Sequence, residues 1–450
     1  MLFIKECKAL SKSIVYLIFV IIMILFYSTQ FEPEVTGDIR AATGNMTAQE
    51  EERAKQVGFG PLVKPSNLEG KDLGYRSAMI PEMIMPNATA SLVREWSLNE
   101  YSAYPAGFAK ISRFSDSEQD KVAGIVQEIT GIHIDEVREI INDAVADGKI
   151  EPIPNIDWAQ LGEQIDYSKL IPIVVDFDSF KEKMTTVDKM TGGGSSYAEY
   201  NLEKFAFKAV TPEDLIADYE SLTIDDKITR AYARLFCDYM GIVICLLGVF
   251  VPVAFMLRER RSRMEELIYP RTISSLKLIG TKFLAIVTMM FVPVLLLSCV
   301  PLVHIASFAS DYGYSIDYFA FITYSFAWIL PSLLVVVGVG FALTILTDTP
   351  IGILVQSIWS FSLLFMSTGA NLASLAGKSG FSLLIRFNTA GDRELFIEQF
   401  TAMIINRVSF AILGLVLIAI SIALFEMKRK GRLDVRRKLR KKRTSNTKAA

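Results

Sequence analysis

Six windows of the chain run without a charged residue for long enough to fill a hydrocarbon core: residues 13–31, 239–257, 283–310, 318–347, 349–377 and 408–425. A core of about 30 Å takes roughly 17 to 25 apolar residues per helical crossing, so each window predicts one transmembrane helix. The first resembles a secretion signal only in position. Its apolar run is long, and Tyr27-Ser28-Thr29-Gln30 offers no small-x-small cleavage site, so it reads as a retained anchor. Pro252, Pro293, Pro301 and Pro331 fall inside windows. Membrane helices tolerate them where neighbours re-satisfy the freed carbonyls, which favours a packed bundle. Gly338 and Ala342, four apart, are small enough for close helix contact.

Between the first two windows the pattern changes. Residues 31 to about 71 are polar and Glu-rich and predict a loose lead-in. Ser115 and Glu118 form a capping box before Val122, Ile125, Val126 and Ile129, with Gly131 as the stop. A second helix carries Val137, Ile140, Ile141, Ala144 and Val145 up to Gly148, while 109–114 and 170–177 read as strands. Asp178 is placed to cap a helix ending at Gly192-Gly193-Gly194, where the glycines act as terminator rather than hinge. Thr211-Pro212-Glu213-Asp214 is a strong helix start. Thr223 and Asp226 repeat the box, and with no Gly or Pro before Gly241 that helix is expected to continue unbroken into the second window. The fold class predicted is a mainly α-helical polytopic membrane protein, with six transmembrane helices and one α+β extracellular domain inserted between helices 1 and 2.

Composition agrees: of 450 residues, 51% are hydrophobic and 21% charged. The formal charge of −2 hides two opposed regions. Residues 31–229 hold 19 Lys/Arg against 36 Asp/Glu, a net of −17, whereas 428–443 hold 11 bases and one acid, Asp434. An acidic hydrophilic segment repels phosphate, which excludes nucleic acid as a partner. Lys5, Lys8 and Lys12 before the first window, six bases within 258–277 and the basic tail all mark cytosolic flanks. That orientation divides the chain into a cytosolic interfacial helix (1–12), helix 1 (13–31), an extracellular domain (32–225), helix 2 with an extracellular extension (226–257) and a cytosolic loop (258–282). Helices 3–6 (283–425) follow, with an extracellular re-entrant element at about 378–407, and then a basic cytosolic tail (426–450). The setting expected is a cell membrane, with membrane lipids as partners of the tail.

Chemistry is sparse. Cys7, Cys237, Cys245 and Cys299 all lie outside the exterior segment, and Cys237 and Cys245 stand about 12 Å apart by helical rise, too far to bridge. The two histidines, His133 and His304, have no HExxH or carboxylate cluster beside them and read as structural. Gly377-Lys378-Ser379 imitates the end of a phosphate loop, but the glycine needed five positions earlier is Leu372. Asn45-Met46-Thr47 and Asn87-Ala88-Thr89 fit the glycosylation triplet. The chain is not expected to be an enzyme or to carry a cofactor.

The loop from Arg258 to Lys282 is the most informative stretch. It starts with charges, Arg258-Glu259-Arg260-Arg261, passes Met264-Glu265-Glu266-Leu267-Ile268, turns at Pro270 to Ser274 and ends at Gly280-Thr281-Lys282. Apolar anchors beside charges suit a partner groove, and equally the positive flank of a membrane helix. This order resembles the coupling loop of permease subunits of type-2 ATP-binding-cassette (ABC) exporters, in the branch with a large extracellular domain between helices 1 and 2. In such a family Glu266 matches the conserved-type Glu, Leu267 and Ile268 the aliphatic pair, and Ser274 the Ser. Arg263-Met264 replaces the usual Gly-Thr, and the proline is displaced to Pro270.

The resemblance implies that Met264, Glu265, Glu266, Leu267, Ile268 and Ser274 dock on a separate cytosolic ABC ATPase subunit, which hydrolyses the ATP. It also implies pairing as a homodimer or as a heterodimer with a paralogous permease. Phe3, Cys7 and Leu10, spaced i, i+4, i+7, match an interfacial connecting helix. Residues 369–406 resemble the exterior re-entrant hairpin, with Phe387, Phe396 and Phe400 as gate candidates. Export of an amphipathic or hydrophobic substrate is then the expected function. The alternative is a non-transporting membrane receptor or secretion accessory that displays the exterior domain.

Overall fold

A computed structural model describes residues 2–45, 61–66, 73–103, 110–146, 167–261, 273–366, 382–387, 389–391 and 393–432. It divides into two compact units, the first from Met1–Val63, Asp218–Leu363 and Leu375–Ala450, the second from Lys64–Ala217 and Leu364–Ser374. The molecule is mainly helical.

The first unit is a bundle of apolar helices. Among the described residues five are long and apolar enough to cross a membrane: Ile14–Thr43, Thr229–Arg258, Ser275–Tyr312, Ala320–Thr347 and Phe400–Arg429. On the last of these, Ile405, Val408, Ile412 and Leu415 face outward and exposed, an apolar surface of the kind lipid covers. These features give the chain the character of a multi-pass membrane protein. Where the fifth of the six expected crossings falls, the helix Ile351–Met366 has 16 residues, about 24 Å by helical rise. That falls short of a full core, and the remainder of the window lies outside the described residues.

Glycines set the closest approach in this bundle. A Cβ on Gly414 would stand 2.6 Å from Leu334 Cβ, and one on Gly338 2.8 Å from Leu417 Cβ, so Leu330–Thr347 and Phe400–Arg429 touch backbone to backbone. The small-residue contact expected at Gly338 is thus made within the chain. At Gly248 the second long helix turns before Phe250–Arg261, with Pro252 unable to donate to the preceding turn. Cys245 O there accepts from Gln356 Nε2 at 3.3 Å and Ser360 Oγ at 2.7 Å, side chains doing what a regular helix does with backbone.

Several boundaries differ from the sequence expectations. The lead-in is not loose at its start: a π turn, Tyr27–Phe31, passes directly into the helix Glu32–Thr43. Its acids are held by tyrosines, Tyr232 donating to Asp38 Oδ2 at 2.6 Å and Tyr239 to Glu34 Oε1 at 2.9 Å. Nor does the helix of Thr223 and Asp226 continue into the second long helix. Thr223 sits in a π turn and donates back to Tyr219 O, and the chain breaks at Lys227 and Ile228, with φ of 50° and 56°. The next helix starts at Thr229. The final long helix begins at Phe400, eight residues before its apolar window, and helices flank the charged loop more closely than expected, ending at Arg261 and resuming at Ser275.

The second unit packs helices around Ile84, Leu92, Val122, Val126, Ile129, Val137, Phe180, Met184 and Val187. The helix Asp116–Thr130 carries the Ser115/Glu118 capping box and ends at Gly131 with φ of 76°, as expected, and Ile134–Ala146 follows. Strand content among the described residues is two antiparallel ribbons, Tyr75–Ser77 with Phe207–Ala209 and Tyr101–Ala103 with Lys110–Ser112. The stretch 170–177 alternates as a strand would, with Ile171 buried and Val174 exposed, but pairs in no ladder. Pro172 removes a donor, and the cap of the next helix, Phe177–Thr191, is Asp176 rather than Asp178. All three glycines 192–194 have positive φ, which only a terminator rich in glycine accepts without strain.

Candidate functional site

Residues 382–387 lie in the interior of the helical bundle with no helix of their own, and all but Arg386 are buried. Backbone in apolar surroundings must find a partner for its N–H and C=O groups, and here side chains supply them. Arg407 Nη2 donates to Ser382 O at 2.7 Å, Ser332 Oγ to Leu383 O at 2.8 Å and Trp328 Nε1 to Ile385 O at 3.3 Å. From the opposite direction, the Phe387 N–H donates to Asp238 Oδ2 at 2.6 Å. Leu383 is level with Cys245 and Ala390 with Arg234, eleven residues apart on one helix, so the segment climbs roughly 16 Å through the bundle. The stretch is extended where a first amphipathic piece is expected, and the short helix Arg393–Glu398 comes after it.

Arg407 is 6% exposed. Its five N–H donors are spread over neutral oxygens: Asn406 Oδ1 takes Nε at 3.0 Å and Nη2 at 2.6 Å, and Nη1 reaches Ser332 Oγ at 2.9 Å and Trp328 O at 3.2 Å. A lysine ammonium, a point charge with three donors, has no such planar fork. Arg234, 1% exposed, forms a second buried anchor. It pairs with Asp226 and stacks its guanidinium 4.6 Å from the Phe396 ring centroid. Arg393 adds contacts to Asp225 at 3.1 Å and Asp226 at 3.4 Å, directly beside the break at Lys227 and Ile228. A buried β-branched residue with positive φ is a strained position, held there by the charges around it.

The three gate candidates come together. Trp328, Phe387, Phe396 and Phe400 stack edge to face in sequence, with centroids 5.8, 5.9 and 5.6 Å apart. Phe387 and Phe396 are buried, while Phe400 is exposed. Of the docking candidates, Met264, Glu265, Glu266, Leu267 and Ile268 lie outside the described residues. Ser274 is described: its side chain caps the helix Ser275–Tyr312, accepting from Lys277 N at 3.3 Å. Beside it a cavity of about 470 Å³ opens between Ile273–Leu276 and the end of the last helix, where Ser275 binds Glu426 and Arg429 Nη1 donates to Ile273 O at 2.8 Å.

Sequence reasoning passed over Arg234 and Asp238 and took Asp226 only as part of a capping box. Their signal was the spacing of Asp226, Arg230, Arg234 and Asp238, four charged residues at i, i+4, i+8 and i+12 leading into an apolar window. The remaining candidates stay apart from this cluster. His133 is exposed beside Asp135, at 3.3 Å, and His304 lies within the helix Ser275–Tyr312. Among the described residues no three His, Cys, Asp or Glu side chains gather as a metal site. Asn87 is a structural amide rather than a sugar acceptor, because it is buried, donates to Phe205 O and accepts from Tyr167 N, both at 2.8 Å. The Gly377-Lys378-Ser379 tripeptide lies outside the described residues. Compared with protein-family models, curated proteins and solved structures, the chain matches none.

Proposed function

We propose that this chain is the permease subunit of a type-2 ABC exporter, moving an amphipathic or hydrophobic substrate out of the cell with power from a separate cytosolic ATPase. In this reading six helices cross the membrane, the fifth in chain order being that of residues 349–377, and residues 32–225 are extracellular. The permease pairs with a second copy or a paralogue. ATP binding closes the ATPase pair, the motion pushes the loop at Glu266 to Ile268, and the second and fifth crossings shift to open an outward path.

The observation that carries the reading is the charged-then-aliphatic sequence 258–282 at the junction of two helices long enough to cross a membrane, Thr229–Arg258 and Ser275–Tyr312. The buried, side-chain-held segment 382–387 and its aromatic ladder supply what a re-entrant gate needs. Co-purification of the full chain with an ABC ATPase subunit tests the assignment. The complex is expected to be lost when Glu266→Ala and Leu267→Arg are introduced together, and a complex unaltered by both changes would remove the coupling role.

A further inference from the structure

We propose that Arg407 is the positioning residue that holds residues 382–387 inside the bundle, and through Phe387 sets the aromatic ladder Trp328–Phe387–Phe396–Phe400. The segment has few bonds of its own. Ser382 Oγ donates to Leu384 O at 2.7 Å, while Ser382 O and Leu383 O look outward for donors. Arg407 serves both, through Nη2 at 2.7 and 3.4 Å, and its Nη1 orients Ser332, whose hydroxyl donates to Leu383 O.

The same Nη1 also reaches Trp328 O, on the backbone of the residue whose ring meets Phe387. One guanidinium therefore joins three things: the last long helix, the π turn Ser325–Ile329 and the non-helical segment. Asp238 pins only the far end, at Phe387 N. Without the guanidinium, Ser382 O loses its donor in apolar surroundings, and the segment's alternative is to move to where water can supply one. The bundle itself does not depend on it in that way. Leu330–Thr347 and Phe400–Arg429 are packed backbone to backbone at Gly338 and Gly414 independently of any bond to 382–387.

This role stands on the hydrogen bonds alone and does not rest on the transport reading. The test is hydrogen–deuterium exchange on the full chain in lipid nanodiscs, read at the peptide that contains the Phe387 amide. Arg407→Met is expected to speed exchange there at least tenfold, while peptides of Leu330–Thr347 and Phe400–Arg429 keep their wild-type protection. Arg407→Lys, which can still donate to Ser382 O, is expected to recover part of the loss. Exchange at Phe387 unchanged in Arg407→Met would overturn the proposal, and so would a rise spread evenly over the bundle, which is the mark of a general stabiliser. Should Arg407→Met fail to accumulate, Ser332→Ala decides. It removes the shortest of the bonds to Leu383 O and one Arg407 acceptor, and about threefold faster exchange confined to the same peptide supports the proposal, whereas no change overturns it.

Discussion

At Gly414 a single methyl group has nowhere to go. Its Cβ would meet Leu334 Cβ at 2.6 Å and the Leu334 carbonyl carbon at 3.1 Å, and backbone cannot swing aside as the tip of a side chain can. Gly414→Ala is therefore expected to cost about 1–3 kcal/mol, the usual range for overpacking. Gly280→Ala is the control, since nothing lies within 4 Å of its added Cβ and alanine is the better helix former. Thermal unfolding in detergent should show a lowered midpoint for the first and an unchanged or raised one for the second. Asp214 carries a different residue-scale argument. It accepts from Thr211 N at 3.1 Å while Thr211 Oγ1 accepts from Asp214 N, a reciprocal cap, and it also pairs with Lys208 and Arg76. The Thr211 N–H, then the Lys208 ammonium, hold its carboxyl down to about 2 from an ordinary value of 3.8. Because the folded value is depressed, this contribution is fully present above pH 3.8 and is lost as pH falls toward 2. The melting difference between wild type and Asp214→Asn should close over that window, and a difference that persists at its lower end would contradict the assignment. Thr211-Pro212-Glu213-Asp214 was readable in advance because a cap is a local device. Gly338 was half readable: its smallness showed, but the partner that needs it, Leu417, is 79 positions on and leaves no local trace.

Helix ends written in side-chain caps were legible, and ends decided by tertiary bonds were not. Ser115 and Glu118 start one helix and Gly131 stops it, as their spacing requires. Residues 170–177 alternate correctly yet belong to no sheet, because alternation reports which side chains face inward and says nothing of whether a neighbour offers a ladder. The start of the next helix was misplaced by two residues, between two aspartates that look alike in sequence. Asp176 accepts from Ser179 N at 2.7 Å, whereas Asp178 is exposed and reaches only Lys181. Asp176→Ala should raise hydrogen exchange in the first turn of Phe177–Thr191 several-fold, and Asp178→Ala should leave it unchanged; equal effects would mean the cap is shared. The break at Lys227 and Ile228 was missed for a related reason. No glycine or proline marks it, and what imposes it is the buried pairing of Arg234 with Asp226, which demands a turn that an unbroken helix would not allow. Segment 382–387 is the third case. Its apolar residues fit a short helix, but Arg407, Ser332 and Asp238 supply backbone partners that let it stay extended.

Across the whole molecule the question is parity, since an even number of crossings returns both termini to one side and an odd number does not. Contacts in the first unit order its ends. Arg258 Nη1 donates to Ala9 O at 3.4 Å, Ser275 binds Glu426, and Lys428 pairs with Asp348, so the basic flanks of the first, second, third and last long helices meet at one end together with the turn after Thr347. Phe400, by contrast, starts its helix beside Phe396, the ring on which Arg234 stacks, at the other end of the bundle. Between Ile351 and Phe400 the chain must therefore pass from one end to the other. The helix Ile351–Met366 makes most of that passage and is short by about 6 Å of a roughly 30 Å core. Clustered Lys and Arg resist translocation, and on that ground the proposed reading puts the shared end in the cytosol. Single cysteines placed at Ser11 and Arg432, in a chain whose four native cysteines are replaced, should both escape an impermeant maleimide on intact cells and both react once the membrane is opened. A cysteine at Ser117 should react from outside. Labelling of position 432 alone on intact cells would mean that 351–400 does not complete a crossing, and the cytosolic docking of loop 258–282 would then have to be argued without the tail as its companion.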